Sequence, residues 1–301
     1  MRRRYLLLDV FTRSRFAGNP LAVFPEADGI EPEAMQRIAA ELNLSETAYV
    51  QSPDRPGGPA RVRIFTPASE LPFAGHPTVG TAAALLPADV AAGDMVLAEQ
   101  VGDVSVAVRR DGEAVFAEFT VPKLPQPVGP AVSPEVAARV IGVAAEQVTE
   151  ATVWSAGVPF LILRLADRQA LDAARLDSGA WSAELAETDA KHLYLVAPDD
   201  GSATPPDHPD APVVWHARMF APAMGIAEDP ATGAAACALA GRLAAELPDG
   251  PHRVLIHQGV SMGRPSVLEL GIEAQGGVAG GVTLGGWSVI VGEGVLETEA
   301  D

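Results

Sequence analysis

The sequence predicts an α+β fold of two lobes with one plan, and three observations predict it. The first is an internal repeat. AGNPLAVF (17–24) resembles AGVPFLIL (156–163), RIFTPA (63–68) resembles RMFAPA (218–223), HPTVGTAAAL (76–85) resembles DPATGAAACA (229–238), and VLAEQVG (96–102) resembles VLIHQGV (254–260). Four pieces recurring in one order mark a duplicated unit. The second observation is that each half reads as short strand, helix, strand, central helix and then several strands. The third is the Pro-rich segment VPKLPQPVGPAVSP (121–134), the best linker in the chain, which divides it into lobes of 1–127 and 128–301. The last strand, near 290–299, is expected to pack back on the first lobe.

The elements follow in order. YLLLDVF and PLAVF are strand-like apolar runs on either side of a Gly-Asn-Pro turn. EPEAMQRIAAELN carries Met35, Ile38, Ala39 and Leu42 at helical spacing, with Pro32 in the first turn. DVSVAVRR and AVFAEFTV alternate across Asp111-Gly112, a hairpin signal. Ser133 and Pro134 open a helix in the second half, PDDGSATPPDHPDAP (198–212) reads as a polar loop, and Gly-rich short strands run on from Gly259.

Composition bounds the function. At 301 residues, 48% hydrophobic and 20% charged, the chain is a globular protein with room for two cores. A formal net charge of -18 disfavours nucleic acid and anionic membranes as partners. Cys237 is the single cysteine, so an intrachain disulfide and a cysteine metal cluster are both excluded. The N-terminus mimics a signal peptide until Asp9 cuts the apolar run short, and no stretch reaches the ~20 apolar residues of a membrane span. The expectation is a cytoplasmic protein. The histidines His192, His208, His216, His252 and His257 lack metal-ligand spacing, and GVAGGVTLGG has no Walker lysine. Arg264 suits either an anion near the site or a structural role in its Gly-rich turn.

Two Ala-rich helices begin on unusual residues. A proline follows each, so the pattern predicts His76 and Asp229 at N-caps, with Pro77 and Pro230 at the first helical position. A helix start exposes unpaired N–H groups and partial positive charge, which suits a carboxylate or oxyanion. Gly75, Gly80 and Gly233 allow close approach of a backbone or a ligand. Asp is a favoured structural cap, whereas His is a poor one, which makes His76 the more telling residue. Two such tips facing each other across a cleft between the lobes grip one small acid from both sides.

The stretches DVFTRSRFAGNPLAVF, NLSETAYV, FTPASELPFAGHPTVGTA, EDPATGAAACAL and QGVSMGRPS resemble the phenazine-biosynthesis isomerase family (PhzF-like) in the family's own order. The resemblance implies a diaminopimelate-epimerase-like fold, two pseudo-symmetric lobes each made of a curved, mostly antiparallel sheet or barrel around a central helix. It also implies a homodimer, a small carboxylic acid substrate and no cofactor or metal. The family's catalytic glutamate falls on Glu46, with Ser45 beside it. Its other site residues fall on Gly75 and His76, and on Asp229 and Gly233. Where the family commonly has Ser, this chain has Ala234.

The chemistry implied is proton transfer between carbons of one molecule, with Glu46 as base, Asp229 and His76 orienting the substrate and the helix tips offsetting negative charge. In the family's best-known activity this shifts a ring double bond of a dihydro-hydroxyanthranilic acid. Two alternatives stand beside it: an epimerase or racemase using carboxylate and His bases, and a non-catalytic small-acid binding protein. A two-thiol mechanism is excluded, because Cys237 lies inside its helix and Ala84 matches it in the other repeat.

Overall fold

A computed structural model describes residues 2–199 and 212–298. The segment read as a polar loop, 198–212, lies outside the described residues apart from its ends, and so does His208. The chain forms two units, Met1–Pro122 with Gly285–Asp301, and Lys123–Leu284.

The first half runs β1 (Arg2–Val10), β2 (Asn19–Phe24), α1 (Pro32–Leu42), β3 (Glu46–Gln51), β4 (Ala60–Phe65), β5 (Glu70–Leu71), α2 (Gly75–Leu85), β6 (Ala92–Glu99), β7 (Gly102–Asp111) and β8 (Ala114–Thr120). The second opens on β9 (Gln126–Pro127) and α3 (Pro134–Ile141), the latter capped by the Ser133 side chain accepting from Val136 N. It continues through β10 (Val148–Ser155), β11 (Pro159–Leu165), α4 (Arg168–Ala173), α5 (Ser178–Glu184), β12 (Leu193–Pro198), β13 (Val213–Ala221), β14 (Ile226–Asp229), α6 (Gly233–Ala244), β15 (Gly250–Gln258), β16 (Ser266–Gln275) and β17 (Val278–Glu297).

In the first unit the pairings close a ring. β1 joins β17 and β2, β2 runs parallel to β3, β3 joins β4, β4 runs parallel to β6, and β6, β7 and β8 follow in turn. β8 pairs with β17 and completes an eight-stranded barrel. Closure pairs each of these eight strands on both sides. α2 runs through it, buried from Gly75 to Ala83 and touching β1, β2, β3, β6, β7 and β8. Its small residues make this fit: a Cβ at Gly80 would come within 2.7 Å of Val10 Cγ2 and closer still to Leu21 Cδ2. That glycine therefore serves strand packing. α1 covers the outer face, where Met35 and Ile38 meet Phe24, Tyr49 and Phe65.

The second unit repeats the scheme. β10–β11 corresponds to β1–β2, and the parallel β11–β12 to β2–β3. β12–β13 corresponds to β3–β4, the parallel β13–β15 to β4–β6, and β15–β16 to β6–β7. α6 takes the central position, buried along its length against β9, β10, β11 and β16. The outer face packs on α3 and on Ala170 and Leu171 of α4.

Candidate active site

Strand register fixes the first group of site residues. β2 and β3 run parallel with Leu21 beside Glu46, and Leu21 packs on the α2 glycine Gly80, so this face of β3 looks toward α2. Glu46 opens β3 directly after Ser45, and its Oε2 lies 2.8 Å from His76 Nδ1. His76 is 4% exposed and the Glu46 side chain 18%. A carboxylate accepts only, so in this contact the imidazole donates its Nδ1–H. His76 Nε2 is buried with no partner among the described residues. The first turn of α2 has no side-chain cap, because its N-cap is Ala74. Its leading N–H groups are thereby left for solvent or a ligand.

The second group surrounds the start of α6. Asp229 ends β14, where it pairs with Met219 of β13, and its Oδ2 accepts from Thr232 Oγ1 at 2.5 Å. Gln258, wholly buried at the end of β15, donates from Nε2 to Asp229 O at 2.8 Å and to Thr232 Oγ1 at 2.9 Å. Its Oε1 accepts from Thr232 N and from Tyr194 Oη, each at 3.2 Å. Gly233 and Ala234 form the first helical residues, Ala234 half-buried. Burial pushes the Tyr194 phenol above its ordinary range and the Cys237 thiol up to about 12, which leaves that thiol inert as a nucleophile or base.

The helix tips differ from the N-cap expectation. α2 starts on Gly75, so His76 is its second residue and Pro77 its third. Proline is tolerated there because the first-turn N–H groups have no intrahelical partner anyway. α6 starts later relative to the repeat, on Gly233 with Thr232 as N-cap, since the β13 ladder still holds Asp229 in a strand.

Strand pairing also reveals two residues that the sequence pattern hid. The AGNPLAVF match sets Ala22 against Leu161. Ala22 pairs with Thr47 and Leu161 with Leu193, so His192 is the counterpart of Glu46. The β4 and β13 registers agree, Thr47 facing Phe65 and Leu193 facing Phe220. His192 is 4% exposed, and burial, aided by the Lys191 charge, pushes it down to about 4. The second residue is Gln258. The VLAEQVG match sets Glu99 against His257, but Leu97 pairs with Ala60 and Ile256 with Trp215, the RIFTPA counterpart of Ala60. That moves the match by one residue and makes Glu99 the counterpart of Gln258. A one-residue slip exchanges the faces of a strand, and both residues are indeed buried at strand ends.

The remaining candidates lie elsewhere. His216 and His257 stack on neighbouring strands at 5.3 Å, His216 pairing with Asp199 at 2.5 Å. The Arg264 backbone N–H bonds Gly259 O in its turn. Among the described residues no group of three His, Cys, Asp or Glu is arranged to hold a metal ion, and no helix is long and apolar enough to cross a membrane.

Comparison with known proteins places this geometry. The family model described as "Phenazine biosynthesis-like protein" matches residues 8–294. The chain belongs to that family. A protein from Mesorhizobium japonicum, named an uncharacterized isomerase, is 43% identical over 98% of each chain. The trans-2,3-dihydro-3-hydroxyanthranilate isomerase of Pseudomonas fluorescens is 34% identical over 97% of this chain and 98% of its own. A solved structure of a "predicted epimerase" from Pseudomonas aeruginosa superposes with a TM-score of 0.77 at 30% identity, covering 99% of this chain and 100% of that one. This PhzF-family chain is an isomerase with the expected α+β architecture, acting on a small molecule.

Proposed function

We propose that the protein moves a proton between carbons of one small carboxylic acid, with Glu46 as the base. The observation that carries this reading is the 2.8 Å contact of Glu46 Oε2 with the buried His76 Nδ1. It occupies one carboxylate oxygen and holds the side chain in one rotamer, leaving Oε1 to take a proton from an activated carbon and return it elsewhere on the molecule. Asp229 and His76 orient the substrate, Ser45 and Gly75 bind beside them, and the α6 start at Gly233 and Ala234 receives its carboxylate. The substrate class is a ring acid of the dihydro-hydroxyanthranilate type, in keeping with the Pseudomonas fluorescens relative. We further propose that the enzyme works in the cytoplasm as a homodimer without a cofactor.

The test is proton NMR in D₂O with trans-2,3-dihydro-3-hydroxyanthranilate and a panel of small cyclic carboxylic acids. Wild type is expected to move the double bond and incorporate carbon-bound deuterium, and Glu46→Gln to lose at least about 100-fold of that rate. Undiminished exchange in Glu46→Gln would refute the assignment. Deuterium at a stereocentre with no shifted double bond would establish the epimerase reading instead, and binding without exchange the non-catalytic one.

A further inference from the structure

Glu99 is a buried carboxyl with no part in the chemistry above. It ends β6 at 7% exposure, and its Oε2 is buried with no partner among the described residues. Its Oε1 lies 2.8 Å from Thr78 Oγ1, which also lies 2.8 Å from Ala74 O, the carbonyl one turn back in α2. A hydroxyl has one proton, and a backbone carbonyl only accepts. With the Thr78 proton on Ala74 O, the contact to Glu99 holds a proton only if the carboxyl supplies it.

The second repeat shows a related contact with unambiguous protons, made to the threonine one position further along the matched helix start. Gln258 Nε2 donates to Thr232 Oγ1 at 2.9 Å, and that hydroxyl donates to Asp229 Oδ2 at 2.5 Å. The strand registers make Gln258 the counterpart of Glu99. Glutamine has nearly the shape of a protonated glutamic acid and cannot ionise. The first repeat thus uses an acid where the second uses its neutral isostere.

We propose that Glu99 is a positioning residue, held as a neutral carboxylic acid whose O–H anchors Thr78 and with it the first turn of α2 that carries His76. The catalytic consequence rests on the function proposed above; the protonation state does not. Burial pushes this carboxyl up to about 7, opposed only by the Thr78 hydrogen bond. Among the described residues, the charged groups on the elements around it have partners of their own or face solvent, Arg63 of β4 pairing with Glu70 of β5. On β4, Arg61 pairs with Asp54; on β7, Asp103 is exposed; on α2, His76 is engaged by Glu46. Once ionised, the carboxylate competes with Ala74 O for the single Thr78 proton, and the first turn of α2 loses an anchor.

Two measurements test this. Isotope-edited infrared difference spectra, wild type against Glu99→Gln, should show one protonated carboxyl at pH 6 that ionises with a midpoint near 7. An ionised Glu99 at pH 6 would overturn the proposal without any turnover being needed. In the second measurement, wild-type kcat should fall about tenfold between pH 6 and pH 8, with KM little changed, while Glu99→Gln keeps the same kcat at pH 6 and pH 8. An alkaline fall shared by both proteins would also sink the proposal. Failure of the isomerase reading would instead leave both proteins inactive with the infrared band intact.

Discussion

The buried, neutral imidazole of His192 gives stability a defined dependence on pH. Its folded pKa is about 4, against an ordinary histidine value of 6.5. A base whose folded pKa is depressed contributes stability that is present above 6.5 and lost as pH falls toward 4. At about 1.4 kcal/mol per unit, the full difference amounts to about 3 kcal/mol, of which about 2 is lost between pH 7 and pH 4.5. At 4% exposure the side chain has little solvent to screen it. Replacing His192 by Gln removes the titration while keeping a polar group beside Phe160, whose ring lies 6.0 Å from the imidazole. At pH 7 the variant is expected to be less stable by about 1 kcal/mol, as is common for a buried substitution. As pH falls, wild type loses the histidine contribution and the variant does not, so their urea midpoints converge and then cross. Every other carboxyl and histidine titrates in both proteins and cancels. Unfolding curves that stay equally spaced from pH 7 to pH 4.5 would refute the reasoning, as would a His192 ring resonance titrating near 6.5.

Other positions test the packing and the repeat. Gly80→Ala drives a methyl into Val10 and Leu21 at the barrel centre, and calorimetry should find a loss of about 1–3 kcal/mol. Arg218→Met strands Glu228, which the guanidinium holds at 2.8 and 2.9 Å, and also frees the carbonyls of Leu171 and Ala174. Chemical denaturation should report about 3 kcal/mol lost, because a half-broken buried pair leaves its charge uncompensated. Gln258→Glu should cost more at pH 8 than at pH 5, since an ionised carboxylate cannot donate to Asp229 O or Thr232 Oγ1. An equal cost at both pH values would contradict the equivalence of Gln258 and Glu99.

Local features were legible because local chemistry makes them. Met35, Ile38 and Ala39 recur at helical spacing and are buried on α1, and the hairpin signal at Asp111-Gly112 joins β7 to β8. The repeat was legible because duplicated strands keep their apolar spacing and their Gly and Pro punctuation. Glu46 was legible only through resemblance: a glutamate following a helix is ordinarily solvated, and only the fold brings α2 to it. His192 was hidden because KHLYLV shares no residue pattern with SETAYV; the register of four strands makes the match. The starts of α2 and α6 escaped because proline tolerates any first-turn position, and strand pairing held Asp229 out of the helix. Barrel closure joins Arg2 to Glu297, a partner that no local pattern names.

The equivalent positions divide proton chemistry between the repeats. Glu46 and His192 share one place, Glu99 and Gln258 another, and in each case the second repeat keeps a polar group while fixing its proton state. Gln258 has no ionisation, and burial holds His192 neutral down to about 4. Burial likewise keeps the Tyr194 phenol and the Cys237 thiol protonated. The first repeat places two carboxyls against titratable or hydroxylic partners on one helix turn, Glu46 on His76 and Glu99 on Thr78. An isomerase that returns the proton it removes needs one group to change state and return within each turnover, while its neighbours hold theirs. Duplication supplies two scaffolds of one geometry, and divergence at a few strand ends and helix starts places carboxyls in one where the other holds polar groups of fixed proton state. The chemical asymmetry of the enzyme is therefore written in single residues on a symmetric plan, which is why the plan was readable from the sequence and the asymmetry only from strand register.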